Sequence, residues 1–393
     1  MEYIDKYVWY QEGPGVRKQQ YTSEGIKLIN VANLVDGKID LSTSHRYISE
    51  KEAQTKYKHF LVDEGDLIIA SSGIQVDYFD KKMGFAQKEH LPLCMNTSTI
   101  RFKVLNPKVT NIKYFMWFLK SSLFKMQLRR LITGSAQLNF GPSHLKKIKI
   151  NMPIKLEQDN IVSKLDKVQE IIDLRKKQIK ELDELIKSQF VEMFGDIENP
   201  KFKCKKLKEI AKVGSSHRVF TTEFVEKGIP FYRGTEITQL ANGIEPQNPY
   251  YISKEHYLKI CDEDTKPKIG DLLMPSICDK GQIWLVDNEK EFYYKDGRVL
   301  SISPNSDKIN NKYLHAYMKL KTIVEYPKMG SGSTFAEFKI FLLKDLDVIV
   351  PPLELQNRFA EIVKVIDKQK LIIKKSLKET EEIQSSFMNK YFL

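Results

Sequence analysis

The chain has 393 residues, and Lys+Arg exceed Asp+Glu by 63 − 51 = 12, with 41% hydrophobic and 29% charged residues and a sequence pI near 9.1. At roughly 150 residues per domain this is a globular chain of two to three domains, and the balance excludes a disordered one. The longest apolar runs, Phe115-Met-Trp-Phe-Leu119 and Ile340-Phe-Leu-Leu343, exclude a membrane-spanning helix, which needs about 20 apolar residues.

Met1-Glu-Tyr-Ile-Asp-Lys-Tyr7 lacks the layout of a signal peptide, so the expected location is cytoplasmic. The first half then alternates short apolar runs with turns and aromatics. Asp66-Leu-Ile-Ile-Ala-Ser71 reads as a strand, and residues 111–131 read as an amphipathic helix. From Ile161 the apolar positions step by four and three through Leu165, Val168, Ile172, Ile179, Leu182 and Ile186, interrupted by Arg175. That is a heptad seam, with Pro153 before it and Gly195 after it. The second half repeats the pattern. Asp271-Leu-Leu-Met-Pro-Ser276 reads as a strand and residues 310–326 as a helix. Residues 356–387 form a second long helix with Phe359, Val363, Ile366, Ile373 and Leu377 on one stripe.

The two halves match in order. Gly25 falls on Gly228, Tyr47-Ile48 on Tyr251-Ile252, Gly65-Asp66 on Gly270-Asp271, Gly134-Ser135 on Gly332-Ser333, and Phe140 on Phe338. Pro153 with Gln158 falls on Pro351 with Gln356. The expected fold class is therefore α+β: two pseudo-symmetric mixed domains, 1–152 and 197–350, with a central helix in 153–196 and a C-terminal helix in 351–393. Each helix, at about 30 residues, reaches roughly 45 Å. The economical arrangement pairs them as an antiparallel coiled-coil spacer; the alternative packs each on its own domain.

Catalytic signatures are missing. No Walker A sequence, G-x-G-x-x-G or G-x-S-x-G occurs. Gly330-Ser331-Gly332-Ser333 reads equally as a turn or as a phosphate-approaching loop. Asn248-Pro249-Tyr250-Tyr251 resembles an amino-methyltransferase motif but lacks one proline and has no counterpart at Ser44-His45-Arg46-Tyr47, so a strand-edge turn is expected. Cys94, Cys204, Cys261 and Cys278 are too scattered for a zinc site and read as reduced thiols in or near the cores; no metal is expected.

An excess of positive charge favours a polyanionic partner, and double-stranded DNA fits best. Reading it needs cations for phosphates and forked or amide side chains for base edges. The candidates are Arg17, Lys18, Gln19, Arg46, Gln75, Lys81, Lys82, Arg129, Arg130, Gln137 and Asn139 in the first domain. In the second they are His217, Arg218, Arg233, Lys280, Gln282, Arg298, Lys328 and Lys339. Two unlike domains imply a split, asymmetric target.

The ordered combination of residues 25–33, Tyr57-Lys-His-Phe60, residues 63–67, Gly134-Ser-Ala-Gln137, Lys206-Leu-Lys-Glu-Ile-Ala211 and Pro351-Pro-Leu-Glu-Leu-Gln356 resembles the specificity subunits of type I restriction–modification systems. The resemblance covers nearly the whole chain. It implies a non-catalytic, DNA-binding subunit of a phage-defence complex. It also implies two modification subunits that methylate adenine with S-adenosylmethionine, and restriction subunits that translocate DNA and cut it using ATP and Mg. No cofactor belongs to this chain. The alternative is a stand-alone or type II-like methyltransferase or nuclease component. Ile171, Leu174 and Leu185 either dock the modification subunits or widen the helix core. The first half lacks a counterpart of the 206–211 opening, so its N-terminal edge is expected to pack differently.

Overall fold

A computed structural model describes residues 1–132, 138–329 and 336–393, leaving out the side chains of Ile74 and Leu138. The chain divides into two compact units. One comprises residues 1–174 with 376–393, the other residues 175–375.

In the first unit an antiparallel four-stranded sheet runs in the order Val8–Glu12, Thr99–Val104, Leu67–Ala70, Met83–Phe85. Its central strand Leu67–Ala70 is buried along its whole length, as a strand covered on both faces must be. A second sheet sets Leu93–Met95 parallel to Ile26–Ile29, which pairs antiparallel with Tyr47–Ile48. That sheet has its own small core of Val16, Ile26, Leu28, Ile48, Ala53, Tyr57 and Cys94.

The second unit repeats both sheets. Ala211–Gly214, Val299–Pro304, Leu272–Pro275 and Trp284–Leu285 form the antiparallel one. Tyr293–Tyr294 runs parallel to Ile229–Tyr232, which pairs with Tyr250–Ile252, here extended by Phe224–Val225. The glycine matches have a steric cause. A Cβ on Gly25 would meet the Ile48 carbonyl oxygen at 2.3 Å, and one on Gly228 would meet that of Ile252 at 2.2 Å.

The N-terminal edge corrects the expectation drawn from its sequence. Glu2–Tyr3 pairs with Lys149–Ile150 as Cys204–Lys206 pairs with Asp347–Ile349. Ile4 N donates to Ile148 O just as Leu207 N donates to Leu346 O. The opening needs only one buried aliphatic after an extended pair, which Ile4 supplies without the Lys-Leu-Lys-Glu spelling. The helix expected over 111–131 is two, Ile112–Lys120 and Ser122–Leu131, because Ser121 turns the chain and caps the second by accepting from Phe124 N. Its counterpart Asn311–Glu325 is continuous.

The long helices are Lys155–Phe194 and Leu353–Phe392, 40 residues each. Each is therefore about 60 Å long, not 45 Å. The apolar stripe understated them, because their last turns pass to aromatic anchors, Phe190 and Phe194 in one and Tyr391 and Phe392 in the other. In the first unit Ile161, Val162 and Leu165 join the core, and so does Phe392, with Phe387, Met388 and Tyr391 against it. In the second, Phe359 and Val363 share the core with Phe190 and Phe194. Each unit thus takes the start of one long helix and the end of the other. Gln384 donates to Gln169 in the first unit at 2.9 Å, and Lys370 pairs with Asp183 in the second. Along the seam Ile161, Leu165, Ile172, Phe359, Val363 and Ile366 are buried, whereas Val168, Ile179, Leu182, Ile186, Ile373 and Leu377 are half-buried.

Candidate nucleic-acid interface

A repeated polar clamp joins each domain to its helix. Gln158, fully buried, accepts from Asn111 N at 2.8 Å and donates to the carbonyls of Val109 and Pro153. Gln356, also fully buried, accepts from Asn310 N at 2.8 Å and donates to Pro351 O. Asn111 and Asn310 in turn cap the helices that follow them.

The candidate cations fall into two groups in each unit. One group lies at the small sheet. In the first unit it holds Arg17, Lys18, Gln19 and Arg46, all exposed. The Arg46 guanidinium sits 5.6 Å from the centroid of the Tyr21 ring. In the second unit the group holds His217, Arg218 and Arg233. Arg218 lies over Phe220, itself 55% exposed. Tyr250 stacks on Phe224 with centroids 4.7 Å apart and planes 12° apart, and Arg233 approaches the Tyr250 ring to 4.5 Å.

The other group lies beside the ends of the large sheet. Phe140 N donates to Ser71 O, and Phe338 N to Ser276 O. These bonds bring Asn139 and Lys339, both exposed, next to the strand ends. Gln75, Lys81, Lys82, Arg129 and Arg130 belong to this group in the first unit, and Lys280, Gln282, Arg298 and Lys328 in the second. Lys81 lies over the exposed Tyr78 ring. Gln137 and the 330–333 glycine-serine stretch fall outside the described residues.

Internal neutralisation divides the candidates. Arg129 pairs with Asp77, Arg298 with Glu337 at 2.6 Å, and Lys328 with Glu325 at 3.3 Å. Arg233 binds Glu236 through both Nε and Nη2. Burial opposes ionisation of Glu236, but the Arg233 hydrogen bonds and backbone N–H groups outweigh it and hold its carboxyl below the usual value. Gln282 is spent within its own turn on Asp279 and Lys280 N. His217 pairs with Asp262 at 2.8 Å, which pulls that carboxyl well down. By contrast Lys18, Gln19, Arg46, Arg130, Lys280 and Lys339 are exposed without a side-chain ion pair or hydrogen bond among the described residues. Their donors remain available to a phosphate or a base edge.

Sequence reasoning passed over Tyr21, Phe224 and Tyr250 as site residues. The signal was the repeat itself, because Tyr21 and Phe224 share the 203-residue offset of Ile26 and Ile229. Tyr250 opens the strand Tyr250–Ile252, so the Asn-Pro-Tyr-Tyr stretch is a strand edge.

Nothing in the described residues assembles a reacting centre. Burial pushes the Cys94 thiol up to about 12 and Cys278 to about 11, away from a reactive thiolate. All four cysteines are free; Cys204 is exposed rather than core-packed. Among the described residues no group of three or more His, Cys, Asp or Glu is placed to hold a metal ion. Nor is any helix long and apolar enough to cross a membrane.

The chain matches the model of the type I restriction modification DNA specificity domain twice, over residues 16–184 and 199–384. It is 23% identical to the type I restriction enzyme MjaIX specificity subunit of Methanocaldococcus jannaschii, over 92% of this chain and 85% of that one. It is 25% identical to the MjaX specificity subunit of the same organism, over 95% and 87%. Among solved structures, the S subunit of the type I restriction–modification system of M. genitalium superposes with a TM-score of 0.56 at 17% identity, covering 100% of this chain and 95% of that one. A chain from a study of complex assembly and conformational transition in the type I system gives a TM-score of 0.52 at 16% identity, covering 98% and 97%.

Proposed function

The chain belongs to the type I restriction–modification DNA specificity family, and from that premise we propose that its two domains each read one half of a split, asymmetric duplex target. The protein is a specificity subunit and not itself a catalyst. The observation that supports the divided reading is the duplicated frame with unlike exposed side chains: the equivalent position carries Arg46 in one unit and Tyr250 in the other. Like frames give like docking; unlike side chains give unlike half-targets.

In this reading the domain borders 1–152 and 197–350 bound the exchangeable parts. The 40-residue helices set the length of the unread spacer. The exposed Ile171, Leu174 and Leu185, at 42%, 51% and 43%, are docking points for two modification subunits, with restriction subunits joining the same complex. S-adenosylmethionine, ATP and Mg serve those partners in the cytoplasm.

The test is methylome sequencing of a host with and without this gene, followed by exchange of residues 1–152 for those of another family member. The expected outcome is a split adenine motif that depends on the gene and changes in one half after the exchange. A change in both halves would contradict the modular reading. Methyl transfer by the purified chain alone, incubated with labelled S-adenosylmethionine and target duplex, would favour the stand-alone methyltransferase instead.

A further inference from the structure

The small sheet of each unit ends in an exposed stack at the same point of the repeat. Tyr21 and Phe224 differ by 224 − 21 = 203 residues, and Arg46 and Tyr250 by 250 − 46 = 204. The paired strands beneath them keep those offsets, since Ile26 pairs with Ile48 and Ile229 with Ile252. The two stacks are built on equivalent backbone, so the fold places them; what they present is left to the side chains.

The groups presented differ in kind. Arg46 is exposed, rests on Tyr21, and has no ion-pair partner among the described residues. A guanidinium held on a ring loses less freedom when it binds, and its forked donors stay unspent. Arg233 approaches the stack of the second unit, but its Nε and Nη2 both donate to Glu236, which is only 5% exposed. The group offered there is instead Tyr250, 45% exposed, with a ring and a hydroxyl. Two other arginines in the candidate set, Arg129 and Arg298, are answered by carboxylates of the same unit, so they add little net charge where they stand.

We propose that Arg46 and Tyr250 are specificity-determining residues of the two half-targets, and that Arg46 reads a guanine by donating to its O6 and N7 in the major groove. This rests on the DNA-recognition reading above. Two parallel N–H bonds to guanine O6 and N7 use the planar fork, whereas a lysine reaches the same atoms only as a point charge on a flexible stem. A purely phosphate-directed Arg46 would act on all sequences alike and would be replaceable by lysine.

The experiment uses the chain assembled with its modification subunits. The wild-type motif is first read by methylome sequencing. Methylation is then measured on duplexes with one base-pair change at each motif position, for the wild type, Arg46→Ala, Arg46→Lys and Tyr250→Ala. Both Arg46 variants should lose roughly 5- to 150-fold of discrimination at one G·C pair, in one half of the motif. Tyr250→Ala should alter preference in the other half alone. Arg46→Lys also serves where Arg46→Ala lowers the melting temperature, because it keeps the charge and most of the stem. Wild-type discrimination by Arg46→Lys, or an equal loss on every duplex, would overturn the proposal while leaving a split motif intact. A wild-type complex with no split motif would overturn the recognition reading beneath it.

Discussion

In the first unit Asp66 lies buried beside Arg101, at 3.2 Å, with Lys103 at 3.5 Å; at the same place in the second unit Asp271 has Ser303 instead. The strand position that carries Arg101 in one carries Ser301 in the other, since Arg101 pairs with Ile68 and Ser301 with Leu273. Both carboxylates keep one shared task. Asp66 accepts from Asp63 N at 2.9 Å and Asp271 from Lys268 N at 2.8 Å, closing the turn before the central strand. The ion pair is an addition made by the first unit alone, and Arg101 also donates to Leu61 O, His59 O and Gln11. The comparison separates what the frame requires, a turn-closing acceptor, from what one copy has built upon it.

The sharpest ways to test that separation start with the aromatic anchors. Phe194 is fully buried among Phe190, Tyr313 and Phe359, whereas Phe392 is 5% exposed and touches Tyr114 and Phe118. Phe194→Ala should cost stability at the upper end of about 3–5 kcal/mol, and Phe392→Ala at the lower end. Urea melts check this, and equal losses would deny the difference in enclosure.

Next come identical substitutions at equivalent sites. Asp66→Asn should destabilise by about 3 kcal/mol, because it leaves Arg101 buried without its counter-charge. Asp271→Asn should be neutral or stabilising at pH 7. Burial raises the Asp271 carboxyl above its ordinary value, with backbone and Ser303 hydrogen bonds only partly opposing it. A raised acid contributes stability that is present below its unfolded pKa, near 3.9, and lost as pH rises through the folded value. The advantage of Asp271→Asn over wild type should therefore shrink as pH falls from 7 toward 4. A loss at pH 7 equal to that of Asp66→Asn would show that the two carboxylates do the same work.

The smallest effect concerns the clamps. Gln158→Ala should cost more than Gln356→Ala within about 1–3 kcal/mol, because Gln158 makes three such bonds and Gln356 two. Thermal denaturation of both variants decides it.

Much of the frame was legible from spacing. Gly25 and Gly228 each abut a carbonyl where no Cβ fits, and Gln158 and Gln356 each saturate a helix entrance. Such positions tolerate few replacements, so they stand out when a chain is laid against itself. Helix length was less legible, because the seam past Ile186 passes to Phe190 and Phe194, and a ring at that spacing reads equally as a new element. The candidate recognition residues were the least legible. Whether a cation is free depends on which carboxylate folds beside it, and Arg298 and Glu337 are far apart in sequence. Arg298 and Arg46 look alike as letters; the carboxylate folded beside Arg298 and the absence of one beside Arg46 among the described residues tell them apart.

Phe387, Met388, Tyr391 and Phe392 complete the hydrophobic core of the unit that begins at Met1. A nascent chain made at a ribosome therefore exposes Tyr114 and Phe118 until residues 387–392 emerge, although the unit spanning 175–375 is fully synthesised before then. The earlier-made of these two units closes after the later-made one, so termination between residues 375 and 387 would leave the unit of residues 1–174 unfinished beside a finished neighbour, a natural substrate for chaperones and proteases.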